Sequence, residues 1–131
     1  MAFLIDTNIF IYARDGNDRV LGKFGQHAGK VSLSAISLAE LQRGLLAGQN
    51  ELPLRLQRHE ALVRRMAILS FDAAAGEAYR RVIAAIGRTK SRDVDHLIAA
   101  HALSIGATLV TNNTADFLGI PGLATENWAT P

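Results

Sequence analysis

Met1-Ala2-Phe3-Leu4-Ile5-Asp6-Thr7-Asn8 is a short apolar run that ends on a carboxylate. Four to eight apolar residues bounded by polar ones read as a buried strand of a parallel sheet covered on both faces. In an open α/β sheet the ligand sits beyond the carboxyl ends of the strands. Asp6 is therefore expected at the rim of the core, with Thr7 and Asn8 at the turn. A plainer reading stands beside this one. Asp is a favoured N-cap residue, and Asp6 could simply cap a helix starting near Ile9.

Outward from this stretch, strands and helices alternate. Ile9 to Ala13 predicts a short helix or turn, and Asn17 or Asp18 a cap for a helix packed through Val20, Leu21 and Phe24. Val31-Ser32-Leu33 reads as a second strand. Ser34 then caps a helix with Ile36, Leu38, Leu41, Leu45 and Leu46 on its apolar side and Gly44 and Gly48 near its end. Pro53 suits the first turn of a further helix, apolar through Leu54, Leu56, Leu62, Val63 and Met66 and basic through Arg55, Arg58, Arg64 and Arg65. Ala67 to Phe71 predicts a third strand, and Asp72 caps an alanine-rich helix from Ala73 to about Gly87. After the basic loop Arg88 to Arg92, Ser91 or Asp93 would cap a helix carrying Val94, Leu97, Ile98, Ala102 and Ile105. Ala107 to Thr111 is a fourth strand, Pro121-Gly122 a turn, and the tail around Trp128 a last edge strand. Such alternation implies right-handed crossovers and a parallel sheet. The expectation is a single α/β domain over 1–131, with a parallel central sheet of four to five strands flanked by helices.

Composition narrows the function classes. A length of 131 residues suits one domain with a real core, and 49% hydrophobic with 20% charged residues suits a globular chain. No cysteine is present, which excludes disulfides, thiolate metal sites and a thiol nucleophile and fits the cytoplasm. The apolar start lacks a basic leader, so no signal peptide is expected. No apolar stretch approaches the roughly 20 residues that span a bilayer. A net charge of +2 and a pI of about 9.4 permit a nucleic-acid partner without demanding one.

Four acids fall at one predicted edge of the sheet: Asp6 at the end of the first strand, Glu40 amid apolar helix positions, Asp95 in the first turn of its helix, and Asp116 a few residues past the fourth strand, with Asn113 between. Carboxylates brought within a few ångströms raise one another's pKa, and a divalent cation is the simplest relief. Oxygen-only ligands favour Mg²⁺ or Mn²⁺, and such a centre suits phosphodiester hydrolysis. Each acid also has a structural reading: Glu40 paired with Arg43, Asp95 answering the helix dipole, Asp116 in a turn. Among the histidines, His27 and His59 read as surface residues, His96 follows Asp95, and His101 reads as a hydrogen-bonded core residue. No serine sits in a nucleophile-elbow setting and no glycine run cradles phosphate. Aspartyl-phosphate phosphatases need a second Asp where Asn8 stands, and receiver domains need an acidic pair that is missing.

Four segments in order carry a likeness: Leu4 to Asn8, Ser34 to Glu40, Asp95 to Ala102 and Val110 to Phe117, followed by Ile120 to Leu123 and Glu126 to Trp128. They resemble the PIN-domain ribonucleases, and most of all the VapC-type toxins of bacterial toxin–antitoxin pairs, from Phe3 to Trp128. The resemblance implies Mg²⁺- or Mn²⁺-dependent endonucleolytic cleavage of a structured RNA such as tRNA. It also implies a homodimer in the cytoplasm and silencing by a cognate VapB-type antitoxin. It maps the family's acids onto Asp6, Glu40 and Asp95, and the fourth onto Asp116, with Asn113 as the other candidate for that place. Asp6, Asp95 and Asp116 are then the metal ligands and Glu40 a catalytic acid, with Thr7, Asn8, Thr111 and Asn113 in support. Arg88, Lys90 and Arg92 are expected to contact RNA phosphates. The helices from Leu41 to Met66 offer apolar surface for an antitoxin helix. The competing readings are a metal-dependent DNase or other phosphohydrolase, and a catalytically silent interaction domain.

Overall fold

The computed structural model describes residues 2–47 and 52–131; Met1, at the start of the opening run, and Gly48, expected near a helix end, lie outside the described residues. The described residues form one five-stranded parallel sheet and six α-helices. In chain order these are β1 (Phe3–Ile5), α1 (Thr7–Arg14), α2 (Asp18–Gln26), β2 (Val31–Ser34), α3 (Ala35–Ala47) and α4 (Leu52–Val63). Then follow β3 (Ala67–Leu69), α5 (Ala73–Ile86), α6 (Asp93–Ser104), β4 (Thr108–Val110) and β5 (Thr125–Glu126). Short 3₁₀ turns at Lys90–Arg92 and Thr114–Phe117 precede α6 and follow β4. The strand order β3-β2-β1-β4-β5 puts β1 at the centre, with Ile5 opposite Leu33 on one side and Val110 on the other.

Alternation along β1 divides the core. Phe3 and Ile5 face a layer containing Ile9, Phe10, Phe24, Leu41, Leu62 and Trp128. Leu4 faces the opposite layer with Ala78, Val82, Ile98, Ala99 and Ala102 of α5 and α6. Apolar residues of β1 are thus buried on both faces, as a parallel strand requires. The small alanines let α5 and α6 lie close together beneath the sheet.

The caps fall largely where expected. Asp6 accepts the Ile9 amide, Asn17 that of Val20, Asp72 that of Ala75 and Ser34 that of Ile36. Several details differ. α1 begins already at Thr7 rather than near Ile9, so Thr7 and Asn8, expected at the turn, form its first turn. Ala67 to Phe71 yields a strand only as far as Leu69, which pairs with Ser34, the last residue of β2 before α3 begins. Neither Ser91 nor Asp93 caps α6: the 3₁₀ turn runs straight into the helix, and Asp93 is its first residue. Trp128 lies beyond the last strand and is buried against Phe3 and Phe24.

Leu46, Leu54 and Leu56 are exposed, Leu46 at 80%, so the apolar stripes of α3 and α4 are narrower than the residue pattern suggests, and Ile105, expected on α6, is exposed just past its end. His59 is buried, not on the surface, because it stands one helical turn before Leu62 and meets the edge of the Phe10 ring. His27 is half-buried, stacked on Trp128.

His101 is the expected hydrogen-bonded core residue: its Nδ1 lies 2.8 Å from Ser34 Oγ, joining α6 to the junction of β2 and α3. Burial holds its imidazole below the ordinary 6.5, with Asp72 opposing, and burial lowers His59 in the same way. Neutral rings are therefore the native form, and the unfolded chain takes up more protons below pH 6.5. This share of stability is complete above that pH and is lost as pH falls. Urea unfolding should accordingly show a larger loss of stability between about pH 7.5 and about pH 5.5 in the parent than in a His101→Gln variant, which keeps the other titrating groups but lacks this one. Ser34→Ala, which strands His101 and the Ile36 amide, should lower the unfolding free energy by about 1–3 kcal/mol.

Candidate active site

The centre of the site is the end of β1. The Asp6 backbone amide continues the ladder to Val110 O (2.9 Å), which fixes the residue between β1 and β4 before its side chain is considered. Its carboxylate caps α1 through the Ile9 amide at 2.9 Å. The capping reading and the cleft reading are thus both true of one residue. Asp6 is only 8% exposed, and burial raises its pKa above the usual carboxylate range. The Thr111 hydroxyl and the amides of Ile9 and Asn8 act in the opposite sense, while the charge of Asp95 raises it further.

Asp6, Thr7, Asn8, Glu40, Arg43, Ser91, Val94 and Asp95 line a polar cleft of about 360 Å³ beyond the carboxyl ends of β1 and β2. Glu40, in the second turn of α3, accepts the Thr7 hydroxyl at 2.6 Å rather than forming the Arg43 pair considered from sequence. Asp95 stands at the solvent-facing mouth, in the first turn of α6. Its pKa is also raised, first by desolvation against the cleft wall and then by the charges of Glu40 and Asp116, with His96 and Arg92 opposing. Asp95 therefore couples electrostatically to all three other acids.

The remaining predicted residues take different places. Asp116 is not in the cleft lining; its carboxylate meets Arg92 Nη1 at 3.1 Å and accepts the Asn113 side-chain amide. Thr111 is buried at the end of β4, where its hydroxyl accepts the Asn113 backbone amide. Arg88 is bonded to Asp93, which also accepts the Tyr79 hydroxyl. Of the three predicted phosphate contacts only Lys90 is exposed without an ion pair among the described residues. Arg43 lines the cleft although the sequence reading assigned it no such role. Its signal was available: it stands three residues after Glu40 on the same helix and so shares its face.

The donor set is all oxygen and carries destabilised negative charge at Asp6 and Asp95, which fits a hard divalent cation in chemistry. Among the described residues, no three carboxylate or imidazole groups already stand together at ligand spacing, so the acids ring an open cleft.

A parallel α/β sheet with an acidic cleft past its strand ends defines a class of α/β proteins that take their ligand at that edge. Residues 3–122 match the PIN domain, and the chain belongs to that family. It is 37% identical to the tRNA(fMet)-specific endonuclease VapC of Shigella flexneri, over 98% of this chain and 99% of that one. The chain also superposes on VapBC2 of Rickettsia felis bound to a DNA fragment from its promoter, with a TM-score of 0.85 and 31% identity. That match covers 98% of this chain and 99% of the other. DNA-bound VapBC of Salmonella typhimurium is similar too, with a TM-score of 0.86, 27% identity and 98% of both chains covered.

Asp6→Asn separates the two roles of the central residue. Asn caps about as well as Asp, and the substitution removes a charge that burial disfavours. A group whose pKa is raised on folding costs stability at neutral pH, and that cost disappears as pH falls toward the unfolded value of 3.8. Thermal melts should therefore give the variant a higher Tm than the parent near neutrality, with the difference closing as the pH is lowered toward 3.8. A lower Tm at neutral pH would refute the charge-burial account.

Proposed function

We propose that this protein is a VapC-type endoribonuclease that hydrolyses phosphodiester bonds of a structured cellular RNA, such as a tRNA, with Mg²⁺ or Mn²⁺. It acts as the toxin of a toxin–antitoxin pair in the cytoplasm. The observation that carries this reading is the convergence of Asp6, Glu40 and Asp95 on one cleft, in a chain similar over nearly its whole length to named VapC ribonucleases.

Asp6 and Asp95 would hold the ion, with Asp116 joining them, and the bound ion supplies an activated water and neutralises charge on the phosphate. Glu40 is oriented by the Thr7 hydroxyl on one carboxylate oxygen; its other oxygen is left to align the attacking water and take its proton. Asp6 is held rigidly by the α1 amide and the β4 ladder, so its position does not depend on side-chain freedom. Arg43 in the cleft lining and Lys90, next in sequence to the lining residue Ser91, would supply positive charge for the RNA backbone, while Thr111 and Asn113 brace the β4 end of the site.

A separate groove of about 310 Å³ between α3 and α4 is lined by Leu38, Leu56, His59 and Val63 together with the polar Gln42, Glu60 and Arg64. It suits the apolar face of an antitoxin helix, and the proposed partner is a cognate VapB-type antitoxin. The apolar patch of Ile36, Ala39, Val94 and Leu97 adjoins the acidic cleft and suits a second copy of the chain in a homodimer. No described helix is long and apolar enough to cross a membrane.

Purified protein incubated with tRNA, total RNA and single-stranded DNA tests the reading. Cleavage is expected of RNA alone, in Mg²⁺ or Mn²⁺, and none in EDTA. Asp6→Asn should lose more than the ~10–100-fold that changes around a metal ligand produce. Undiminished cleavage in EDTA would overturn the metal mechanism. Preference for DNA would favour the DNase reading, and inertness toward every substrate the silent-domain one.

A further inference from the structure

Asp116 is the predicted acid whose surroundings differ from the other three. Both of its carboxylate oxygens are engaged: Oδ1 by Arg92 Nη1 at 3.1 Å and Oδ2 by the Asn113 side-chain amide. Arg92 directly precedes α6, three residues before Asp95, and its charge opposes the raised pKa there. The pair bridges the 3₁₀ turn before α6 and the one after β4, two segments otherwise far apart in sequence. Arg92 therefore supplies positive charge at the same acids that a divalent cation would neutralise. Its side chain is 51% exposed and that of Asp116 24%. An ion pair of that exposure is weak enough to be displaced.

We propose that Arg92 is an internal counter-ion that competes with the divalent cation for Asp116, so that loading of the site requires the Arg92–Asp116 pair to open. This rests on the metal-dependent reading above and gives Arg92 a role distinct from standing contact with RNA phosphate. Arg92 is a positioning residue here, acting through Asp116.

Mn²⁺ titration of the intact protein without RNA, followed by the electron paramagnetic resonance of free Mn²⁺, reads the competition directly. Arg92→Gln should tighten Mn²⁺ binding by about two- to fivefold, the range an exposed ion pair can withhold. Lys90→Gln removes a neighbouring positive charge that holds no carboxylate among the described residues and measures the general electrostatic contribution, which should be smaller. In an Asp116→Asn background, Arg92→Gln should give no more than the Lys90→Gln effect. Unchanged Mn²⁺ affinity in Arg92→Gln, or equal tightening with and without Asp116, would overturn the competition while leaving the metal site standing. Absence of Mn²⁺ binding by the parent protein would overturn the metal reading and the competition together.

Discussion

A carboxylate held almost out of solvent is unfavourable unless something fixes it there, and the rest of this molecule depends on how Asp6 is fixed. Its amide is part of the sheet, its side chain closes the first turn of α1, and the Thr111 hydroxyl supports it from β4. Three elements thus meet at one residue, just past the end of the central strand. The charge cannot turn away into water. It remains directed to the cleft and keeps a standing demand for positive charge.

The other acids are held by ties of a different kind. Glu40 is bound to Thr7, so α3 is joined to the first turn of α1 by the site itself. Asp95 rides on α6, whose start is clasped by Tyr79 and Arg88 through Asp93 and whose body is pinned by His101 to Ser34. The last of these bonds joins the helix of Asp95 to the start of the helix of Glu40. Tyr12 accepts the Asn112 side-chain amide and so fastens α1 to the segment that follows β4. Polar side chains at element ends, rather than the apolar layers alone, set the spacing of the acids.

Strand alternation, the Asp72 and Asn17 caps and the placement of Asp6, Glu40 and Asp95 at one edge were legible because each rests on local chemistry or on chain topology. What escaped was decided by tertiary partners. His59 is polar by type, yet it sits one turn from Leu62 and packs on Phe10, so its burial is a property of the α1–α4 contact. Leu46 is apolar by type, yet it is exposed while its neighbour Leu45 is buried, because it falls outside the stripe of α3 that carries Leu41 and Leu45. The fate of Arg88 and Arg92 was hidden for the same reason. A basic loop looks available for a ligand until the acids facing it are known, and here Asp93 and Asp116 face it.

The strand order also has a consequence for synthesis. β1, β2 and β3 are contiguous in sequence order on one side of the sheet, whereas β4 must come back to the open edge of β1 from the far end of the chain. A nascent chain emerges N-terminus first, so Asp6 and Glu40 leave the ribosome long before Asp95 and Asp116. Until α6 and β4 dock, one edge of β1 is unpaired and the cleft has a single wall. Completion of the sheet and assembly of the full set of acids are therefore the same event, and an unfinished chain carries only half of the centre.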